Sequence, residues 1–146
     1  MTYKQIETFR NADNNTPVNF TKLQEGFRIT DSTQAKGYKQ LGCTDVDGLT
    51  EYKGYFLMQE WKGTRDLPIG QKILAENFTK LSPKAYFVQV YGFTDKMEVI
   101  AYRVCKEGKW KEWIECEEGI DSFNEMLASW CDYVYNATYK TSKGVH

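Results

Sequence analysis

The chain has 146 residues, 19 Lys and Arg against 20 Asp and Glu, and a formal net charge of -1, with one histidine, four cysteines and a 15% aromatic fraction. A chain of this length buries roughly 68 to 70% of its unfolded surface and forms a self-supporting core. The near-zero charge, with acids and lysines interspersed, removes the basic stripe that marks a generic nucleic-acid binder, and no apolar run approaches a membrane span.

Residues 1–16 read as an N-terminal arm or short helix, with Tyr3, Ile6 and Phe9 at three-residue spacing, closed by the polar run Asn11 to Pro17. A single β-rich domain is expected over 17–137. Asn19-Phe-Thr-Lys-Leu23 recurs as Asn77-Phe-Thr-Lys-Leu81, which fits coincidence or a reused strand-entry turn better than duplication. Gly37 to Gly48 is turn-rich, Tyr52 to Trp61 is a strand, and Gly63 to Gly70 is a loop.

The segment from Ala85 to Glu118 carries consecutive antiparallel strands. Gly92 to Lys96 turns Tyr86–Tyr91 into Met97–Val104, and a two-residue turn at Glu107-Gly108 sets Cys105 opposite Trp110, Arg103 opposite Glu112, Tyr102 opposite Trp113 and Val99 opposite Cys116. Cross-strand pairs of this kind contribute roughly 0.2 to 1 kcal/mol each. After Gly119 the apolar residues Phe123, Met126, Leu127, Trp130, Val134 and Tyr135 recur at helical spacing, and Ser122 with Glu125 has the spacing of a capping box. Residues 138–146 read as a flexible tail. The fold class is α+β, a mainly antiparallel meander of about six strands with one long C-terminal amphipathic helix.

Catalytic signatures are sparse. The single histidine, His146, ends a polar tail, so no histidine-based acid-base or nucleophile machinery is expected. Gly63 to Gly70 lacks the Lys-Ser/Thr ending of a phosphate loop. Asp45 and Asp47 imitate the start of a calcium loop, but the position of its bidentate glutamate is Gly54, so a plain Asp-Gly turn is preferred. The cysteines lack paired spacing, and free, mostly buried thiols without a metal are expected. Glu112, Glu115, Glu117 and Glu118 near tryptophans leave a carbohydrate-active enzyme as a distant third option. The sequence therefore reads as non-enzymatic, with no cofactor, no nucleic-acid partner and no membrane partner.

The 22 aromatics, ten Tyr, eight Phe and four Trp, exceed what one small core hides. Tyr86, Val88, Val90, Ile100, Tyr102 and Trp113 are assigned to the core. Tyr55, Trp61, Tyr91, Phe93, Trp110 and Tyr133 are the candidate surface anchors for a protein or glycan, from strand parity and turn position. Any anchor found fully buried loses that role.

The ordered series Asn19-Phe-Thr-Lys-Leu-Gln-Glu-Gly-Phe-Arg-Ile29, Gly54-Tyr-Phe-Leu-Met58, Gln89-Val-Tyr91, Ala101-Tyr-Arg-Val104 and Gly108-Lys-Trp-Lys-Glu-Trp113 resembles knob domains of phage tail fibres and tailocins over roughly residues 19 to 116. The resemblance implies a phage virion attachment or decoration module, homo-oligomeric and in such knobs trimeric, enzymatically inert, made in the host bacterial cytoplasm and carried in the virion. The alternative is a small phage-encoded inhibitor that binds and blocks a host enzyme.

Overall fold

The computed structural model describes residues 20–144. The expected arm over 1–16 lies outside them, as does the end of the expected tail. The chain divides into two compact units, Met1–Asp45 and Val46–His146, where one domain over 17–137 is expected.

In the first unit, helix α1 (Phe20–Leu23) precedes an antiparallel pair, β1 (Arg28–Thr30) and β2 (Tyr38–Gln40), with Ile29 opposite Lys39. None of the described residues of this unit is buried, and the ribbon is braced by polar contacts. The Gln40 amide donates to the carbonyls of Gln24, Phe27 and Leu41 at 2.9, 3.0 and 2.9 Å, and the Arg28 guanidinium lies 4.3 Å over the Tyr38 ring. Asp31 accepts bonds from the Thr33 hydroxyl and N–H, which hold its carboxyl below the usual carboxylate range.

The second unit is α+β and contains the expected meander and C-terminal helix. Its sheet comprises β3 (Gly48–Tyr52), β4 (Tyr55–Lys62), β5 (Ala85–Phe93), β6 (Glu98–Lys106) and β7 (Lys109–Trp110) in that order, with β8 (Ile114–Glu115) also paired to β6. The expected strand from Tyr52 to Trp61 is broken at its start, because Lys53 and Gly54 take positive φ values of 49° and 87° and form a tight turn from β3 into β4. A helix that sequence periodicity does not disclose, α2 (Ile69–Lys80), crosses from β4 to β5 and makes that pair parallel, with Glu60 beside Gln89. Both Phe-Thr-Lys-Leu copies fall at the exit of a helix ahead of a strand, in α1 and at the end of α2.

Side-chain alternation gives the sheet two faces. Leu57, Tyr86, Val88, Val90, Val99 and Tyr102 face helix α3 (Ile120–Gly144), whose Phe123, Trp130 and Val134 complete the main core. The stripe read from the sequence is thus the buried face, except that Tyr135 is 55% exposed and stacks on Tyr139 at 6.1 Å. The helix starts at Ile120, before the expected cap: Gly119 turns the chain with φ 60°, and the Ser122 hydroxyl inside the first turn accepts the Glu118 N–H at 2.9 Å. It also continues beyond 137, where the tail is expected to begin. Met58, Ala75, Phe87 and Cys105 form the smaller core beneath α2.

The Glu107-Gly108 turn has the positive φ values, 53° and 80°, of a two-residue hairpin, and Cys105 stands opposite Trp110 as expected. Beyond Lys111 the expected register fails. Tyr102 pairs with Ile114 and Ala101 with Glu115, one residue out of step with the first part of the hairpin. Arg103–Glu112, Tyr102–Trp113 and Val99–Cys116 are therefore not the pairs. A one-residue slip reverses the faces of a strand, and Trp113 leaves the α3 core for the α2 face. At Gly92, where β5 and β6 shift register, a Cβ would overlap the Glu98 carbonyl, so only glycine fits.

All four cysteines are free: Cys105 and Cys116 are buried in different cores, and Cys43 and Cys131 are exposed. The expectation of mostly buried thiols holds for half of them. Burial raises the Cys105 and Cys116 thiols above the ordinary range. In native protein, a thiol reagent at pH 8 is expected to label Cys43 and Cys131 at once and the other two only on unfolding. Because the folded-state values are raised, their contribution to stability is full below the unfolded thiol pKa and is lost as pH rises through the folded one. Fast labelling of all four thiols in the native state would contradict this.

Candidate active site

The carboxyl end of β4 carries Glu60-Trp61-Lys62, and alternation places Glu60 and Lys62 on the α2 face while Trp61 turns to the α3 core. Glu60 is only 7% exposed. Burying a carboxylate is costly unless it is paired, and a packed apolar residue at such a place is often as stable or more so. Fold stability alone does not explain a glutamate there.

Its surroundings are built from three segments. Lys62 Nζ lies 3.4 Å from Glu60 Oε1, and Gln71, in the first turn of α2, donates its Nε2 to the same oxygen at 3.1 Å. Asp47 comes immediately before β3. The antiparallel register ends with Gly48 against Gln59, and just beyond it the exposed Asp47 reaches the chain next to Glu60, where its Oδ2 accepts the Trp61 N–H at 2.7 Å. The other amide atom of Gln71, Oε1, is buried with no hydrogen-bond partner. A buried acceptor left unpaired costs about 1 to 3 kcal/mol, and such a group calls for a bound water, an ion or a function.

Across β5 the polar row continues. Gln89, fully buried beside Glu60 in the parallel register, accepts from Arg103 Nε at 2.8 Å and donates to the Arg65 carbonyl at 3.2 Å, which ties the loop after β4 over the sheet. Ligand sites of α/β sheets lie at the carboxyl ends of parallel strands, where loops diverge, and this row sits at that end of β4. An open cleft of about 220 Å³ beside it is lined by Lys62, Gly63, Phe93 and Asp95. Among the described residues no group of three or more His, Cys, Asp and Glu converges. A cation here would have Asp47 and Glu60 as its carboxylates, a hard-oxygen set that suits Mg²⁺ or Mn²⁺ over Zn²⁺.

A second feature adjoins the row. Arg65 lies over the rings of Tyr91 at 5.2 Å and Trp113 at 5.1 Å, and Arg103 over Trp113 at 5.1 Å and Trp110 at 4.2 Å. The result is an alternating ladder of rings and guanidiniums. Arg65 also bonds both oxygens of Glu115, at 2.7 and 3.0 Å, and Trp110 Nε1 donates to Glu76 at 2.9 Å.

The six aromatic candidates fall on two faces, and none is fully buried. Tyr91 and Phe93 meet edge-on at 6.4 Å on the α2 face with Trp110, which is half-buried against Phe87. Tyr55 and Tyr133 meet edge-on at 6.5 Å on the α3 face, where Trp61 is a core-edge residue against Phe123 at 5.9 Å. No single aromatic patch unites them. Of the expected core residues, Tyr86, Val88, Val90 and Tyr102 are buried, while Ile100 and Trp113 are half-buried.

Sequence reading passed over Glu60, Lys62 and Gln71, and assigned Asp47 to a plain Asp-Gly turn. The available signal was a glutamate and a lysine two residues apart at the end of an otherwise apolar strand, where a buried strand has no use for charge. No helix among the described residues is long and apolar enough to cross a membrane. The chain matches no protein-family model, no curated protein and no solved structure.

Proposed function

We propose that the chain is a divalent-cation-dependent hydrolase of phosphodiester bonds in nucleic acid. The observation that carries this reading is the buried Glu60, held by Lys62 and Gln71 beside Asp47 at the carboxyl end of β4. A magnesium site with one or two protein carboxylates typically completes its octahedron with water and substrate phosphate oxygens. When bound, the cation supplies Lewis-acid polarisation of the phosphoryl group and a more acidic water. Asp47 and Glu60 would hold the cation, and Gln71 fixes the Glu60 rotamer. The Lys62 ammonium stabilises negative charge that develops on the phosphoryl oxygens as water adds to phosphorus and the ester P–O bond breaks.

The cleft beside Lys62, at about 220 Å³, lies below the 300 to 1,000 Å³ of pockets that enclose a small ligand, which favours an extended chain laid across the surface. This reading departs from the expectation of a non-enzymatic chain without a nucleic-acid partner. The non-enzymatic part of that expectation rests on the absence of histidine-based and phosphate-loop signatures, which a carboxylate and lysine centre does not need, and the nucleic-acid part on net charge, which averages over the surface, whereas Lys62, Arg65 and Arg103 gather on one face. The test is incubation of plasmid and labelled oligonucleotide with Mg²⁺, Mn²⁺ or Ca²⁺, and with EDTA. Metal-dependent cleavage supports the reading, and no cleavage under any condition sinks it.

A second reading, a non-enzymatic virion attachment module or inhibitor, is favoured by helix α3, where Tyr133, 55% exposed, meets Tyr55, and Tyr135 and Tyr139, 55% and 49% exposed, stack on each other. Its test is native mass by light scattering at two concentrations. A concentration-independent trimer of the 17.0 kDa chain is the expected result for the attachment module, and a clean monomer puts the inhibitor form ahead of it.

A further inference from the structure

We infer that the ladder formed by Tyr91, Arg65, Trp113, Arg103 and Trp110 is a track for single-stranded nucleic acid leading to the Glu60 centre; this rests on the phosphodiester reading. Three observations converge on that substrate. The ladder adjoins the centre: Tyr91 is the parallel-register neighbour of Lys62, and Gln89 joins Glu60 to Arg103 across the sheet. Its chemistry alternates flat rings with guanidiniums, the combination that single strands use, since unpaired bases stack on aromatic and Arg planes while phosphates meet the charges. In a duplex the base faces are occupied by their neighbours, so the rings would find nothing to stack on.

The track is also accessible. Tyr91, Trp110 and Trp113 are half-buried and keep part of their surface open, and the side chains of Arg65 and Glu115 are 39% and 60% exposed. Glu115 occupies the position of an anion on Arg65 in the free protein. A surface ion pair of this kind contributes little and exchanges readily, so a backbone phosphate takes the place of Glu115 when a strand binds. Arg103 is different, because its Nε bond to buried Gln89 fixes it as the rigid rung between the two tryptophans.

The experiment is titration of the full chain in EDTA with a 12-nucleotide oligothymidylate and with a blunt duplex of the same length, read by tryptophan fluorescence. The expected result is quenching by the single strand at a Kd at least 10-fold below that of the duplex. Arg65→Ala, an exposed position that leaves the core intact, is expected to weaken binding 5-fold or more and to lower the salt slope by about 0.7. Trp113→Ala is expected to weaken it on the order of 10-fold. Glu115→Gln is expected to tighten it a few-fold, which a purely structural ion pair would not do, while Asn124→Ala, at an exposed position of α3, leaves it unchanged. Equal affinity for duplex and single strand, or an unchanged Kd in Arg65→Ala, overturns the track. Duplex cleavage with Mg²⁺ but no single-strand binding overturns the track and leaves the hydrolase reading. Single-strand binding in EDTA with these variant effects, but no cleavage with any metal, supports the track and removes the hydrolase.

Discussion

Glu60→Gln is expected to lower Mg²⁺-dependent cleavage by about 100-fold or more while the protein stays folded. The substitution preserves the shape of the side chain and its capacity to bond Gln71 and Lys62, which lie 3.1 and 3.4 Å from Glu60 Oε1. It removes the negative charge, and with it half of the carboxylate pair. Loss of one preorganised electrostatic group at a reacting centre typically costs about 10² to 10³ in rate. Lys62→Ala removes the other charge and should fall as far, by loss of stabilisation at the phosphoryl oxygens. The thermal midpoint is the control. The substitution removes a buried charge but also takes the carboxylate from Lys62, whose side chain is 32% exposed and stays within reach of water, so the two effects oppose and Glu60→Gln should melt close to the parent temperature. Loss of cleavage with an unchanged or raised midpoint assigns the effect to chemistry. Cleavage at the parental rate by both variants would mean that the activity belongs to a contaminant or to another site.

Phe123→Ala is expected to destabilise the second unit by about 3 to 5 kcal/mol, the usual cost of truncating a buried aromatic. Phe123 is 1% exposed and receives Trp61 and Tyr102 edge-on at 5.9 and 5.7 Å, so it joins α3 to both β4 and β6. Each such ring pair adds about 0.5 to 1.5 kcal/mol beyond area burial. Against a total stability of about 5 to 15 kcal/mol, the loss removes about a fifth or more of it, visible as a shifted urea midpoint with similar slope. Tyr135→Ala, on the same helix but 55% exposed, should change stability by no more than about 0.5 kcal/mol. Equal effects at the two positions would mean that α3 does not use this face to cover the sheet.

The α3 stripe, the β5 to β7 meander and the Glu107-Gly108 turn were legible because each is encoded within a few residues, by a period of 3.6, a period of 2 or a pair of positive-φ positions. Helix α2 was not. Pro68 caps it without a side-chain bond, and Ile69 and Ile73 are 72% and 50% exposed, so its apolar residues do not draw one clean face. Without α2, the parallel pairing of β4 with β5 could not be inferred, since only a crossover helix permits it. The slip beyond Lys111 was equally hidden: alternation is satisfied by either register, and packing of Trp113 against Arg65 and Arg103 accompanies one of them.

The sequence by itself determined the class of fold, the amphipathic helix and the turn that fixes the last hairpin, because local sterics and hydrophobic period act over short spans. Only the tertiary structure decided that Asp47, Glu60 and Gln71 share one place, and that Tyr91, Arg65, Trp113, Arg103 and Trp110 form one ladder. These residues lie before β3, on β4 and the loop after it, on α2, β5, β6 and β7, and between β7 and β8, and their convergence depends on which strands are neighbours and on which face each side chain emerges. Strand order and register are set by the burial of the whole sheet between two helices, a balance summed over the core that no window of the sequence contains.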